Sequence, residues 1–251
     1  MTHQFKSWDD YFIPGTNTLR NLLRGPRKYG IEDPKELEAR ELALTWVRVV
    51  ELAMHPVHGQ FDYNHFKQVH RRIFQDVYAW AGQVRVGPPT QMTKSGPDVI
   101  NYSLGDPNAP QRVYAYYQAG LEMEKAAQRQ FADLGSLLAD PGDDAHFITE
   151  IAEIWAELNV AHTFREGNTR TQIVFFSQVF EQLGFTLNMA DISPHGSFRE
   201  EFVASRFYSQ ATASSSKLAG VLLNVTSRPE PTTEQKLKLH RRVVPKDPPG
   251  F

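Results

Sequence analysis

Apolar positions recur at helical spacing over most of the chain and divide it into amphipathic segments. The first opens on a start signal, with Asp33 as N-cap, Pro34 at the first helical position and Glu36 at the third. Leu37, Leu44, Val47 and Val50 then predict one apolar face, and Pro56 a stop. Phe66, Val69, Ile73, Phe74 and Val77 predict a second helix closed by Gly82. Residues 83–110 break every period and are rich in proline, which fits two short extended pieces around a turn. A third helix is predicted over residues 111–134, with a loop over residues 135–144. A fourth is predicted over 145–160, where Ile148, Ile151, Ile154, Trp155 and Leu158 are apolar, and a fifth over 171–183, stopped by Gly184. One or two further helices are predicted in 193–226. The expected fold class is all-α with one small β-hairpin. Residues 1–30 read as an irregular arm, 31–226 as the domain, and 227–251 as a flexible or appended basic tail.

Composition narrows the function without naming it. The chain has 251 residues and no cysteine, which removes disulfides and thiolate metal sites. A net charge of -2 argues against a generic nucleic-acid binder. No apolar run approaches the roughly 20 residues of a membrane span, and "MTHQFKSWDDYF" lacks the apolar core of a signal peptide. The expected setting is cytoplasmic, or secretion into a host cell without a cleaved signal peptide. The histidines His55, His58, His65 and His70 do not share one helical face, so ordinary loop and surface histidines are expected there rather than zinc.

The chemistry is concentrated between the fourth and fifth helices, in "HTFREGNTRTQI", residues 162–173. A Gly-Asn turn alone would account for a short connection. Beyond it, Gly167 and Asn168 turn the backbone just before a new helix, whose free N–H groups and positive dipole end make an anion site. Arg170 lies in its first turn and can reach the same anion. Glu166 beside an anion site is relieved if a divalent cation lies between them, as carboxylate and phosphate oxygens hold Mg²⁺. His162 is a candidate general base near neutral pH. Base, metal carboxylate and phosphate cradle together read as a phosphoryl or nucleotidyl transfer site.

These residues resemble the Fic family signature, His-x-Phe-x-(Asp/Glu)-Gly-Asn-Gly-Arg-x-x-Arg, and the flanks "RIFQDVYAWAGQVR", "IAEIWAELNVA" and "REEFVASRFYSQA" are similar to the segments around it. The resemblance implies a protein adenylyltransferase that transfers AMP from ATP to a hydroxyl of a target protein. It implies His162 as the base, Phe164 as an anchor in the core, and Glu166 as the Mg²⁺ carboxylate. Gly167, Asn168, Thr169 and Arg170 would hold the phosphates. A flap at about residues 84–98 would receive the target by strand addition, with Thr93 and Lys94 near nucleotide or target. The similarity is greatest to bacterial effectors and toxin–antitoxin toxins. The (Ser/Thr)-x-x-x-Glu-(Gly/Asn) inhibitory motif is not found outside the active loop, so any inhibition is expected from a small antitoxin supplied in trans.

Two positions depart from the signature. Thr169 replaces a glycine that permits close approach of a phosphate. Ile173 replaces an arginine, three residues from Arg170 on the same helical face, and removes a charge-assisted contact of about 1.5–3 kcal/mol. Weakened or altered nucleotide use is therefore expected. The alternatives are a catalytically impaired Fic-like binding module, or a relative that transfers a different phosphate-containing group.

Overall fold

The computed structural model describes residues 5–23 and 30–228. The expected tail is thus almost wholly outside the described residues. Helix α1 spans Pro34–Met54, and Asp33 caps it by accepting from the Glu36 amide at 2.8 Å. Its buried face consists of Leu37, Glu41, Thr45, Val49 and Leu52, while Val47 and Val50 are 56% and 45% exposed. The expected apolar face is therefore rotated, because two polar residues on α1 are buried by their partners in the site. Helix α2, Tyr63–Phe74, buries Phe66, Val69, Ile73 and Phe74 as expected. It ends eight residues before Gly82, in turns in which the Val77 and Tyr78 amides both donate to Phe74 O.

A hairpin follows, β1 (Thr93–Pro97) against β2 (Gln111–Ala115), antiparallel with Thr93 opposite Ala115 and Pro97 opposite Gln111. The second strand occupies residues expected to begin the third helix. The reason lies in "VYAYY", where Tyr114 and Tyr116 are buried on alternate positions, a strand period. Helix α3 accordingly starts at Leu121 and runs to Ala139, through the expected loop, because Leu134 and Leu137 continue its buried stripe.

Helix α4, Asp144–Ala161, is mostly buried from Phe147 to Ala161 and packs against α3. Helix α5, Asn168–Gln182, buries both aromatic and aliphatic residues and lies against α2. Strand β3 (Thr186–Leu187) pairs with β4 (Thr226–Ser227), and the short helix α6 (Met189–Ile192) leads to α7 (Arg199–Thr212) and α8 (Ser216–Val225). Helix α8 closes the bundle over α4 and α7. A minor core of Val99, Tyr114 and Phe207 ties the hairpin to α7. Gly96 permits this approach, since a Cβ there would lie 2.7 Å from the Phe207 ring. Among the described residues no helix is long and apolar enough to cross a membrane.

Residues 5–23 of the N-terminal arm are more ordered than their composition suggests. Trp8–Tyr11 form a 3-10 helix, Phe12 bridges Leu19, and Tyr11 and Ile13 are buried. The His65 and His70 side chains are likewise buried rather than at the surface.

Candidate active site

The loop between α4 and α5 is built around Phe164, fully buried and stacked on His70 at 3.8 Å between ring centroids. His70 Nδ1 accepts from the Gly82 amide at 2.8 Å, which leaves Nε2–H to donate to Glu166 O at 3.1 Å. Burial holds the His70 pKa down to about 3, so this neutral tautomer persists at neutral pH. Asn168 closes the loop from inside, its Oδ1 accepting from the Phe164 amide at 2.9 Å and its Nδ2 donating to Phe164 O at 2.8 Å. Gly167 has φ of 79° and N-caps α5. A Cβ on it would lie 2.0 Å from the Phe74 ring.

His162 is the C-cap of α4, in the left-handed region with φ of 47°. Its ring lies against Tyr116 of the hairpin's exit, 4.1 Å between centroids. Burial, and then the Arg85 guanidinium, hold its pKa down to about 3; Arg206 and Lys94 add to this, and the Asn159 backbone opposes it. The imidazole is therefore neutral at neutral pH, the form that accepts a proton. Arg85 serves the C-terminus of α4, donating from Nε to His162 O at 2.6 Å and from Nη2 to Tyr117 O at 2.6 Å. This cation joins the root of the hairpin to the turn at His162.

Glu166 is half-exposed, and its Oε1 accepts from the Gly167 amide at 2.9 Å. Arg170 Nη2 lies 4.0 Å from the same oxygen. The main partners of Arg170 lie elsewhere: it is paired with Glu41 of α1, and its Nη1 donates to Thr45 Oγ1 at 2.8 Å. Tyr78 OH donates to the other Glu41 oxygen. Thr169 accepts through Oγ1 from Arg206 Nη1 of α7 at 3.1 Å. Ile173 is 4% exposed and belongs to the main core. On β1, Lys94 Nζ stands 5.9 Å from the Phe207 ring centroid; partial burial and then Arg206 lower its pKa. Thr93 is exposed at the strand's start. Arg165 points away from the loop and stacks over Trp8 at 4.2 Å and Phe12 at 5.2 Å, which fastens the N-terminal arm to the motif.

A family model described as Fic/DOC family matches residues 60–180. The "Probable protein adenylyltransferase y4lH" of Sinorhizobium fredii is 31% identical over 188 residues, covering 74% of this chain and 82% of that protein. The chain belongs to the Fic/DOC family. Protein adenylyltransferase VbhT of Bartonella schoenbuchensis is 30% identical over 180 residues, 72% of this chain; the match spans about a third, 32%, of that longer protein. Among solved structures, the BepC effector of Bartonella tribocorum with bound AMPPNP has a TM-score of 0.67 at 20% identity, over 88% of this chain and 98% of that one. The N-terminal Fic domain of a Bartonella quintana cell filamentation protein with bound ADP gives 0.68 at 19%, over 91% and 98%. These likenesses carry the Fic fold: a mostly helical domain with a small hairpin.

The Fic loop thus brings together His162, Glu166, Gly167, Asn168, Thr169 and Arg170, with Lys94 reaching them electrostatically from the hairpin. Glu41, His70, Arg85 and Arg206 were missed by motif and period alone. A signal existed for one of them. Arg206 lies four residues after Phe202 on the apolar stripe of its helix, and a charge at such a position requires a partner.

Proposed function

We propose that this Fic domain is a protein adenylyltransferase, which transfers AMP from ATP to a hydroxyl side chain of a target protein. The observation that carries this reading is His162, a neutral imidazole held against Tyr116 at the root of the hairpin and amid the cations Arg85, Arg206 and Lys94. The target oxygen attacks the α-phosphorus, and the bond from that phosphorus to the bridging oxygen breaks. Pyrophosphate leaves, and the hydroxyl proton passes to a ring nitrogen of His162. The amide groups at the start of α5 face the developing negative charge. Asn168 acts through its side chain as the brace of the loop, so its part in anion binding falls to its backbone.

Glu166 is the residue that would hold Mg²⁺, and its half-exposed carboxylate beside an anion site fits a hard cation that shares phosphate oxygens. Such an ion supplies charge neutralisation on the phosphates. The exposed positions of β1, Thr93 and Lys94 among them, form the docking edge for a target segment. The same proposal extends to a small antitoxin acting in trans and, by likeness to translocated effectors, to action inside a host cell. A second reading, an impaired Fic-like binding module, is favoured by one observation: Arg170 spends its fork on Glu41 and Thr45 rather than on the loop.

The test is intact-mass analysis of lysate proteins after incubation with ATP and Mg²⁺. Wild type is expected to add one AMP to a target. His162→Ala is expected to abolish the addition while its circular dichroism spectrum keeps the helical content of wild type, with a lowered melt from the lost packing on Tyr116. Equal transfer by the alanine variant would refute the role of His162, and no transfer by either protein would favour the binding module.

A further inference from the structure

Arg206 is a buried cation without a buried anion. It is 7% exposed, and its recorded hydrogen-bond partners are neutral: Nη1 donates to Thr169 Oγ1 at 3.1 Å and to Asn159 Oδ1 at 3.2 Å. Its guanidinium also stacks over Phe202 at 4.5 Å. Its Nε is buried with no hydrogen-bond partner. Among the described residues no carboxylate comes within ion-pair distance. Other cations surround it instead: Arg199 and Lys94 both interact with it unfavourably. A guanidinium held in such a place is strongly disfavoured unless an anion joins it. The Thr169 hydroxyl that holds Arg206 belongs to the first turn of α5, where the positive end of a 15-residue helix favours the same anion.

The two departures from the signature then form one arrangement. Ile173 lies in the core and presents no cation. Thr169, where a glycine would offer no side chain, supplies the oxygen that tethers a cation from another helix. We propose that Arg206 is the second phosphate-binding cation of this site, supplied by α7 and positioned by Thr169, and that the terminal phosphates of the nucleotide lie toward Arg206 and Lys94. This rests on the nucleotide-binding reading above. Depression of the Arg206 pKa to about 10, by burial first and Arg199 second, agrees with a site that favours an anionic ligand.

The test is calorimetric titration of wild type, Arg206→Gln, Arg206→Lys and Thr169→Val with ATP, ADP, adenosine and inorganic phosphate. Wild type is expected to prefer ATP to adenosine. Arg206→Gln is expected to lose about ten- to a hundredfold in ATP affinity with adenosine affinity unchanged, the span of one charge-assisted contact. Arg206→Lys is expected to recover part of it. Inorganic phosphate is expected to bind far more weakly than ATP, because the adenosine contacts are absent. An Arg206→Gln protein that binds ATP as wild type does, or loses ATP and adenosine equally, overturns the proposal and leaves the nucleotide reading intact. Wild type that binds no nucleotide overturns both. Should Arg206→Gln fail to fold, Arg206→Lys and Thr169→Val decide, the first keeping a charge without the fork and the second removing the Thr169 tether while the Asn159 one stays: a loss of several-fold for ATP alone in either supports the proposal, and no change in both overturns it.

Discussion

Gly167 meets two constraints at once. Its φ of 79° disfavours any side chain, and the Phe74 ring occupies the place of a Cβ. Gly167→Ala is expected to cost about 2–4 kcal/mol, strain and overpacking together, read as a fall in the urea midpoint at unchanged slope; a midpoint within error of wild type would contradict this. His162 gives a second expectation at this scale. With its pKa held down to about 3, the imidazole proposed as the base is already deprotonated across the neutral range. The profile of kcat/KM is therefore expected to be flat from about pH 5 to 8, with no limb near the ordinary histidine value of about 6.5. Nucleotide phosphates would offset Arg85, Arg206 and Lys94 and raise that pKa, so the acid limb of kcat is expected above that of kcat/KM. A kcat/KM limb near pH 6.5 would show that the free imidazole is not buried as described.

At the level of elements, the motif loop and its two helices were legible because glycine, asparagine and the 3.6-residue period act locally. Helix α1 was only half legible. Its start followed from Asp33 and Pro34, but its face did not follow from apolar residues alone. Glu41 and Thr45 are buried because Arg170, 125 and more residues away in sequence, meets them there. No local period reports such a contact. The strand β2 was misread for a related reason: an alternation of tyrosines over five residues competes with a helical stretch that follows directly. Arg170 is consequently a strut between α5 and α1 as well as a neighbour of Glu166. Glu41→Gln is expected to lower stability by about 1–3 kcal/mol by leaving the Arg170 and Tyr78 groups poorly matched, with a melt followed by circular dichroism as the check. An unchanged melt would mean that the pair is incidental.

For the molecule as a whole, the buried histidines couple the site to acid stability. His70 and His162 are both held near pKa 3 by burial, against about 6.5 unfolded. The unfolded chain therefore binds more protons below pH 6.5. Their stabilising effect is complete above that value and is lost as pH falls toward 3, at about 1.4 kcal/mol per pH unit for each. The melting temperature is expected to drop steeply between pH 6.5 and 4.5, and His70→Gln is expected to flatten the slope by somewhat less than half, since burial lowers the His65 pKa as well. An equal slope in the variant would assign the acid lability elsewhere. The N-terminal arm belongs to this scale too, since Arg165 stacks on Trp8 and Phe12 and anchors an arm that composition alone presents as irregular.

Adenylyl transfer at the His162 loop is tested by parallel incubation with ATP labelled at the α- or the γ-phosphorus. Protein-bound label is expected from α-labelled ATP only, with none in His162→Ala. Label from γ-labelled ATP would contradict the account, because the protein would then be a phosphoryl transferase.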